Sequence, residues 1–219
     1  MRITHHGHAC LLVETPDARV LVDPGTWSPD WDSLTELDAV LVTHVHPDHV
    51  DWARLPTLLG RNPRARLLTE PAVADSEDGR KARAEPMPSG ERTELGDLVV
   101  ESVGGAHAVI HRDIPRIGNV GYVLRQRDDA TLFHPGDSYE AVPQGVDVLA
   151  VPLNAPWAAA KETIDFARAV GPRVAVPIHD ALLSETGRGL YQRLLSTSGG
   201  RDGATLEVLD LAGAGPHEL

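Results

Sequence analysis

Cysteine is almost absent from this 219-residue chain: Cys10 stands alone, which excludes an internal disulfide and a thiolate metal cluster and points to a reducing cytoplasm. Aromatic residues are scarce at 4%, too few for a platform on which nucleic-acid bases stack. No apolar run approaches the ~18 residues of a membrane span. The opening Met1-Arg2-Ile3-Thr4-His5-His6-Gly7-His8 lacks the apolar stretch of a secretory signal. Positive charge is in deficit, with 20 Lys and Arg against 32 Asp and Glu and a formal net charge of -12. Such a surface repels phosphate backbones over the range that screening allows. The expected partner is therefore a small-molecule substrate, with no nucleic acid and no membrane. A homo-oligomer is compatible with the sequence but leaves no readable sign in it.

What is present suits a globular fold. Hydrophobic residues make up 42% and charged residues 24%, and the length fits one domain over residues 1–219. Strand-length apolar runs recur between Gly and Pro punctuation: Ala9–Val13, Val20–Val22, Ala39–Thr43, Arg66–Thr69, Leu98–Val103, Val120–Leu124, Thr131–Phe133, Val146–Val151, Arg173–Ile178 and Leu206–Leu211. Helices are expected at Asp48–Leu59, at Ala158–Val170 before the stop Gly171-Pro172, and at Ser184–Ser196. Residues 71–90 read as a surface helix and loop, and the tail from Ala212 as frayed. Val20-Leu21-Val22-Asp23-Pro24-Gly25-Thr26 before the strand at Val40 is echoed by Thr131-Leu132-Phe133-His134-Pro135-Gly136-Asp137 before the strand at Val148. The echo fits two similar half-domains packed sheet to sheet.

Histidine is the abundant chemistry-bearing residue, with 11 copies, most in clusters. The strongest pattern is His44-Val45-His46-Pro47-Asp48-His49, directly after the buried run Val40-Leu41-Val42. If the chain stays extended there, His44 and His46 project to one side. Pro47 then starts a turn, with Asp48 placed like a helix N-cap. One cation would satisfy such a group of nitrogen and oxygen donors together, where otherwise each needs its own partner. His107, Asp137 and His179 each lie just past another apolar strand, and in α/β architectures such ends converge on one crevice.

His44-Val45-His46-Pro47-Asp48-His49 resembles the HxHxDH signature of the metallo-β-lactamase superfamily. His107, Gly136-Asp137-Ser138 and Ile178-His179-Asp180 follow in that family's order. Ile3-Thr4-His5-His6-Gly7-His8-Ala9 and Leu21-Val22-Asp23-Pro24 resemble its branch of ascorbate-6-phosphate lactonase-like proteins and small metal-dependent hydrolases. The resemblance covers nearly the whole chain. It implies an α/β fold, a four-layer αββα sandwich of two similar halves, with two divalent metal ions at one sheet edge. It further implies His44, His46 and His107 on one ion, Asp48, His49 and His179 on the other, and Asp137 bridging both.

The all-nitrogen-and-oxygen donor set puts Zn first, with Mn or Fe as alternatives. Two such ions share a water and lower its pKa towards about 7, giving a hydroxide that attacks a carbonyl or phosphorus. The expected function is a metal-dependent hydrolase of a small-molecule ester, lactone or phosphodiester, with Asp48 and Asp137 at the reaction centre. Two other classes stand beside it: a mononuclear iron oxygenase on His44, His46 and His107, and a metal-dependent sensor without turnover. The complete second donor set argues against the former, and the intact donors against the latter. Around the donors, His8, His6, His134 and Asp23 are candidates for orienting them or lining the pocket, with Asp23 expected to hold a histidine by a hydrogen bond. His111, Arg112 and Arg116 are candidates for an anionic substrate, with a solvated loop as the plainer alternative. Trp27, Trp52 and Trp157 fall near site loops.

Overall fold

The computed structural model describes residues 1–219 as two seven-stranded sheets. The first holds β1 (Arg2–His5), β2 (Leu11–Glu14), β3 (Arg19–Val22), β4 (Ala39–Val42), β5 (Arg66–Thr69) and β6 (Glu85–Pro86). The second holds β7 (Arg92–Leu95), β8 (Leu98–Gly104), β9 (Val120–Gln126), β10 (Thr131–His134), β11 (Val148–Pro152), β12 (Val174–Ile178) and β13 (Glu207–Val208). A last strand, β14 (His217–Glu218), returns to the first sheet and pairs antiparallel with β1. Helices α1 (Leu55–Arg61), α2 (Pro71–Asp75) and α3 (Glu77–Ala82) belong to the first half, and α4 (Ala160–Val170) and α5 (Glu185–Ser198) to the second.

The two halves share one pairing order. β1 to β6 pair antiparallel twice and then parallel three times. β8 to β13 repeat that order. The sequence echo is therefore structural: β3 corresponds to β10, and β4 to β11.

Alternation along the strands builds the layers. Val20, Val22, Ala39 and Leu41 of the first sheet meet Val148, Ala150, Val174 and Val176 of the second in one central core. The intervening Leu21, Val40 and Val42 face outward onto Trp31, Leu55, Leu58 and Val73. On the other side, Leu149, Val151 and Ala175 face Phe166, Ala167 and Val170 of α4 and Leu195 of α5. Strands covered on both faces read as continuous apolar runs, which is why the sequence displays them. The result is an αββα sandwich.

Several elements depart from expectation. The helix expected at Asp48–Leu59 begins only at Leu55. Its N-cap residue, Arg54, supplies no side-chain cap; ahead of it the Asp51 carboxylate accepts from the Ala53 and Arg54 backbone N–H groups and holds a non-helical turn, and Asp48 lies in an earlier turn still. The tail is pinned: Arg2 pairs with Glu218 and Ile3 with His217. Only Glu207–Val208 of the run to Leu211 forms a strand. Residues 71–90 form two short helices and the edge strand β6. β7, with the polar sequence Arg-Thr-Glu-Leu, is held by its backbone ladder to β8 and has no apolar pattern to reveal it.

Side chains also join the sheets by hydrogen bonds: Arg66 on β5 donates to the Thr93 hydroxyl on β7, and a buried tyrosine does so deep in the core. The buried Tyr122 hydroxyl on β9 donates to the Val42 carbonyl at 3.0 Å, with the Leu68 carbonyl at 3.3 Å. Burial and the distant carboxylates of Asp23 and Glu70 raise the phenol's pKa well above its ordinary value, so it remains a donor. Tyr122→Phe is expected to cost about 1 kcal/mol of stability, read as a lower urea midpoint with an unchanged m-value.

Candidate metal centre

Parallel strands bring their C-terminal ends to one edge, and the candidate residues sit there. Asp23 follows β3, Thr43-His44 follow β4, Asp137 follows β10 by the turn Pro135-Gly136, and His179 follows β12. His8 lies in the loop between β1 and β2, and His107 between β8 and β9. Three of these residues turn the chain in the left-handed region: His8 at φ 49°, Asp23 at φ 50° and His179 at φ 57°. For residues with a Cβ this conformation costs roughly 1–3 kcal/mol and persists where surrounding contacts enforce it. At His179 the backbone N–H donates to the His8 carbonyl at 2.9 Å, fastening the two loops together.

Two groups of donors assemble within this edge. His44, His46, His107 and Asp137 form one, and His8, Asp48, His49 and His179 the other, with the donor atoms of each group within 4.8 Å of one another. Asp137 lies between them. Its Oδ1 is 3.1 Å from His49 Nε2, and its Oδ2 is 3.2 Å from His179 Nε2 and 3.4 Å from His107 Nε2.

Four of these rings are anchored on the far nitrogen, while His46 meets His44 Nε2 with its own Nδ1 at 3.0 Å. The His49 Nδ1–H donates to Asp23 Oδ2 at 2.7 Å, the His107 Nδ1–H to the Ala108 carbonyl at 2.7 Å, and the His179 Nδ1–H to the Asn154 carbonyl at 2.7 Å. The Thr43 hydroxyl donates to Asp23 Oδ2 at 2.8 Å and so accepts from His44 Nδ1 at 3.0 Å. With the proton held at Nδ1, each Nε2 carries a lone pair aimed inward. The Nε2 atoms of His49, His107 and His179 and Asp137 Oδ1 are buried without a hydrogen-bond partner. Such orphaned acceptors are costly. Facing one another across a few ångströms, they fit divalent cations, which would satisfy them together.

The electrostatics agree with a centre built for positive charge. Burial holds the His44 pKa well below its ordinary value. Burial also opposes a charge on His49, but Asp137 and Asp23 on either side outweigh it and raise its pKa well above normal, so its Nε2 lone pair takes a proton unless a cation takes the proton's place. His179 is raised likewise, burial being outweighed by Asp137. Asp137 is held well below the carboxylate range, its burial overcome by His49, His107 and His179. Asp48 is lowered to about 2, its burial overcome by the hydrogen bond from His8 and the His49 charge.

His8 differs from the other rings. The Ala181 N–H donates to its Nδ1 at 3.4 Å, so its Nε2 carries the proton and donates to Asp48 Oδ2 at 3.1 Å. His6 does not join it. The chain is not extended through residues 3–13: it reverses at Gly7, φ 89°, with the His6 N–H donating to the Cys10 carbonyl. His6 is thereby turned away, and the charges acting on it are those of His5, Asp30 and Glu14. His134 is buried, with its Nε2–H donating to the Ala9 carbonyl at 2.9 Å and its Nδ1 accepting from Gly136. His111 and Arg112 are exposed beside Asp113. Arg116 braces the loop through the His107 carbonyl and pairs with Glu140. From that loop it is Ile110 that lines the cavity over the donors. Trp27 and Trp157 line it too, whereas Trp52 packs beside α1.

Sequence reasoning passed over Thr43, Asn119 and Gly25. Asn119 Oδ1 accepts from the Asp137 N–H at 2.9 Å and sets that turn. Gly25 approaches the Pro47-Asp48-His49 turn so closely that a Cβ there would lie 1.8 Å from the Asp48 carbonyl oxygen. The echoed Pro-Gly was the available signal for Gly25.

The family model of the β-lactamase superfamily domain matches residues 2–179. The chain belongs to the metallo-β-lactamase superfamily. Among relatives of this superfamily member, Protein Rv0786c of Mycobacterium tuberculosis is 46% identical over 192 residues, 87% of this chain and 89% of that protein. UPF0173 metal-dependent hydrolase mll0680 of Mesorhizobium japonicum is 30% identical over 154 residues, 63% of each chain. The fold of Igni18, a metallo hydrolase from Ignicoccus hospitalis, superposes with a TM-score of 0.70 at 17% identity, covering 100% of this chain and 98% of that one.

The fastening of His49 to Asp23 and the close approach at Gly25 give paired expectations. Asp23→Asn should weaken cation binding about 10–100-fold, because the amide is a poorer acceptor for His49 and Thr43. Gly25→Ala should weaken it as well, by displacing the backbone that carries Asp48 and His49. Titration with a chelating dye checks both, and Gly60→Ala, at a helical glycine whose added Cβ meets nothing within 4 Å, is the control.

Proposed function

We propose that this protein is a metal-dependent hydrolase holding two divalent cations, one among His44, His46 and His107 and one among Asp48, His49 and His179, with Asp137 shared. The observation that carries this reading is the set of buried Nε2 lone pairs and Asp137 Oδ1, converging without hydrogen-bond partners. Relatives named metal-dependent hydrolases support it. The donors suit Zn, with Mn or Fe next. Cations held there would supply Lewis acidity and lower the pKa of a water.

The chain's own groups do the positioning. Asp23 and Thr43 together orient His44 and His49. Backbone carbonyls orient His107 and His179. The Trp157 indole N–H donates to Asp137 Oδ2 at 3.0 Å and fixes that carboxylate between the two donor groups. His8 holds one oxygen of Asp48, which stays ionised throughout the neutral range. No Ser or Cys nucleophile is needed for this chemistry, and Cys10 is buried and free. The substrate is a small-molecule ester, lactone or phosphodiester, and the acidic surface disfavours nucleic acid. A cytoplasmic setting suits the free thiol. No helix is long and apolar enough to cross a membrane.

Elemental analysis of the metal-saturated chain is expected to plateau near two ions, falling towards one in His179→Ala. A plateau at one, unchanged in that variant, overturns the dinuclear reading. Hydrolysis of esters, lactones and phosphodiesters by chain loaded with Zn, Mn or Fe tests the activity, and His46→Ala and Asp137→Ala should abolish it with the fold intact.

Acid should release the metal. Imidazole binds a cation only when neutral, and a free His has a pKa of about 6.5. A bound ring therefore titrates below its unfolded value, and the unfolded chain takes up more protons as pH falls. Metal-conferred stability is thus present near neutrality and lost in the acid range. Melting temperature and dye-detected metal release, followed together, should fall in the same pH window.

A further inference from the structure

The mouth of the centre is an apolar ring. A cavity of about 180 Å³ opens over His46, Asp48, His107, Asp137 and His179, and its walls are Trp27, Ile110, Pro156, Trp157 and Leu182. Trp27 is 45% exposed and Leu182 55% exposed, large apolar side chains left facing water at the rim of a polar centre. An exposed apolar patch of this kind, rimming a cavity, marks a binding surface. Both indoles are set in place: Trp27 meets the His8 ring edge-on at 4.8 Å, and Trp157 is held by Asp137 and packs edge-on against Tyr139 at 5.0 Å.

The walls carry no Lys or Arg. The arginines of the neighbouring segments each lie against an acid, Arg112 with Asp113, Arg116 with Glu140 and Arg188 with Asp180 and Asp210. A phosphate or carboxylate on the part of a substrate away from the reacting bond would lose water against five apolar side chains with no cationic side chain there to pair with it. Such a group gives up hydration there without a compensating partner. An alkyl or acyl chain gains there instead.

We propose, resting on the hydrolase reading, that the non-reacting part of the substrate is a short, uncharged apolar group seated in this ring. The protein then acts on small apolar esters or lactones and rejects those whose distal end is anionic. A cavity of about 180 Å³ suits a short chain.

Binding of alkyl hydroxamates to the metal-loaded chain, measured by calorimetry, tests the ring without requiring turnover. From acetohydroxamate to hexanohydroxamate, affinity is expected to rise about threefold to fourfold per buried methylene. Adipic monohydroxamate, of the same length with a terminal carboxylate, should bind at least about tenfold more weakly than hexanohydroxamate. Trp27→Ala and Leu182→Ala, both at the solvent-facing rim where the fold tolerates truncation, should each flatten the chain-length series. A flat series in the unaltered protein, equal binding of the carboxylate-tipped compound, or no binding of any hydroxamate overturns the proposal. p-Nitrophenyl esters of the same chain lengths separate the two readings. A rising hydroxamate series with no ester or lactone cleaved upholds the apolar seat and removes the hydrolase. Turnover of phosphodiesters or anionic esters with a flat series upholds the hydrolase and removes the seat.

Discussion

The centre depends on one buried carboxylate. Asp23 accepts three hydrogen bonds, from the Thr43 backbone N–H, the Thr43 hydroxyl and the His49 ring. It ties the end of β3 to the end of β4, and through Thr43 and His49 it orients one histidine of each donor group. A charge removed from water is tolerated only when its acceptor sites are filled. Here one group that fills them is His49, whose opposite nitrogen faces the cavity, and the other is Thr43, whose hydroxyl in turn holds His44. Folding cost and site geometry are thus set by the same contacts, and the left-handed backbone at Asp23 is the conformation that lets its carboxylate reach all three.

The duplicated topology explains why such a device lies between the sheets. β3 and β10 are corresponding strands, and each is followed by Pro-Gly. Asp23 precedes the first Pro-Gly and His134 the second, and the two side chains approach to 3.9 Å where the halves meet. Gly25 gives way to the turn bearing Asp48 and His49, and Gly136 packs against Thr43 and Asn119, so each half's turn is shaped by close approach of another backbone or side chain. The same edge that gathers strand ends for packing reasons gathers donors from both halves, and Asp137 lies where they adjoin.

The surroundings of the centre divide by polarity. Inward, the carbonyls of Ala108 and Asn154, the Asp23–Thr43 pair and the Trp157 indole fill the hydrogen-bonding capacity of the donors' outer faces. Outward, the rim is apolar. That contrast concentrates the polar chemistry at the floor and leaves to the walls the discrimination between partners.

Much of the fold was legible in the sequence. Core strands covered on both faces must be continuously apolar, so Ala39–Val42, Arg66–Thr69 and Val148–Pro152 were visible as runs, and α4 was bounded by its periodicity and Gly171. The cluster from His44 to His49 was visible because its donors are neighbours in the chain; His107, Asp137 and His179 were legible only as residues just past apolar strands, and the resemblance to a known superfamily assigned them to the site. The start of α1 was not visible, because turns through Asp48 and Asp51 delay the helix to Leu55 and no side-chain cap marks its first residue. β7 and β14 were not visible, because backbone ladders hold them whatever their side chains. His8 is parted from His6 by the local turn at Gly7, whereas the far-nitrogen partners of His49 and His179 and the apolar ring from Trp27 to Leu182 depend on segments far apart in sequence. Only the tertiary structure decided these, since a hydrogen bond's direction and a cavity's lining are set by which loops meet, and local residue pattern carries no record of that meeting.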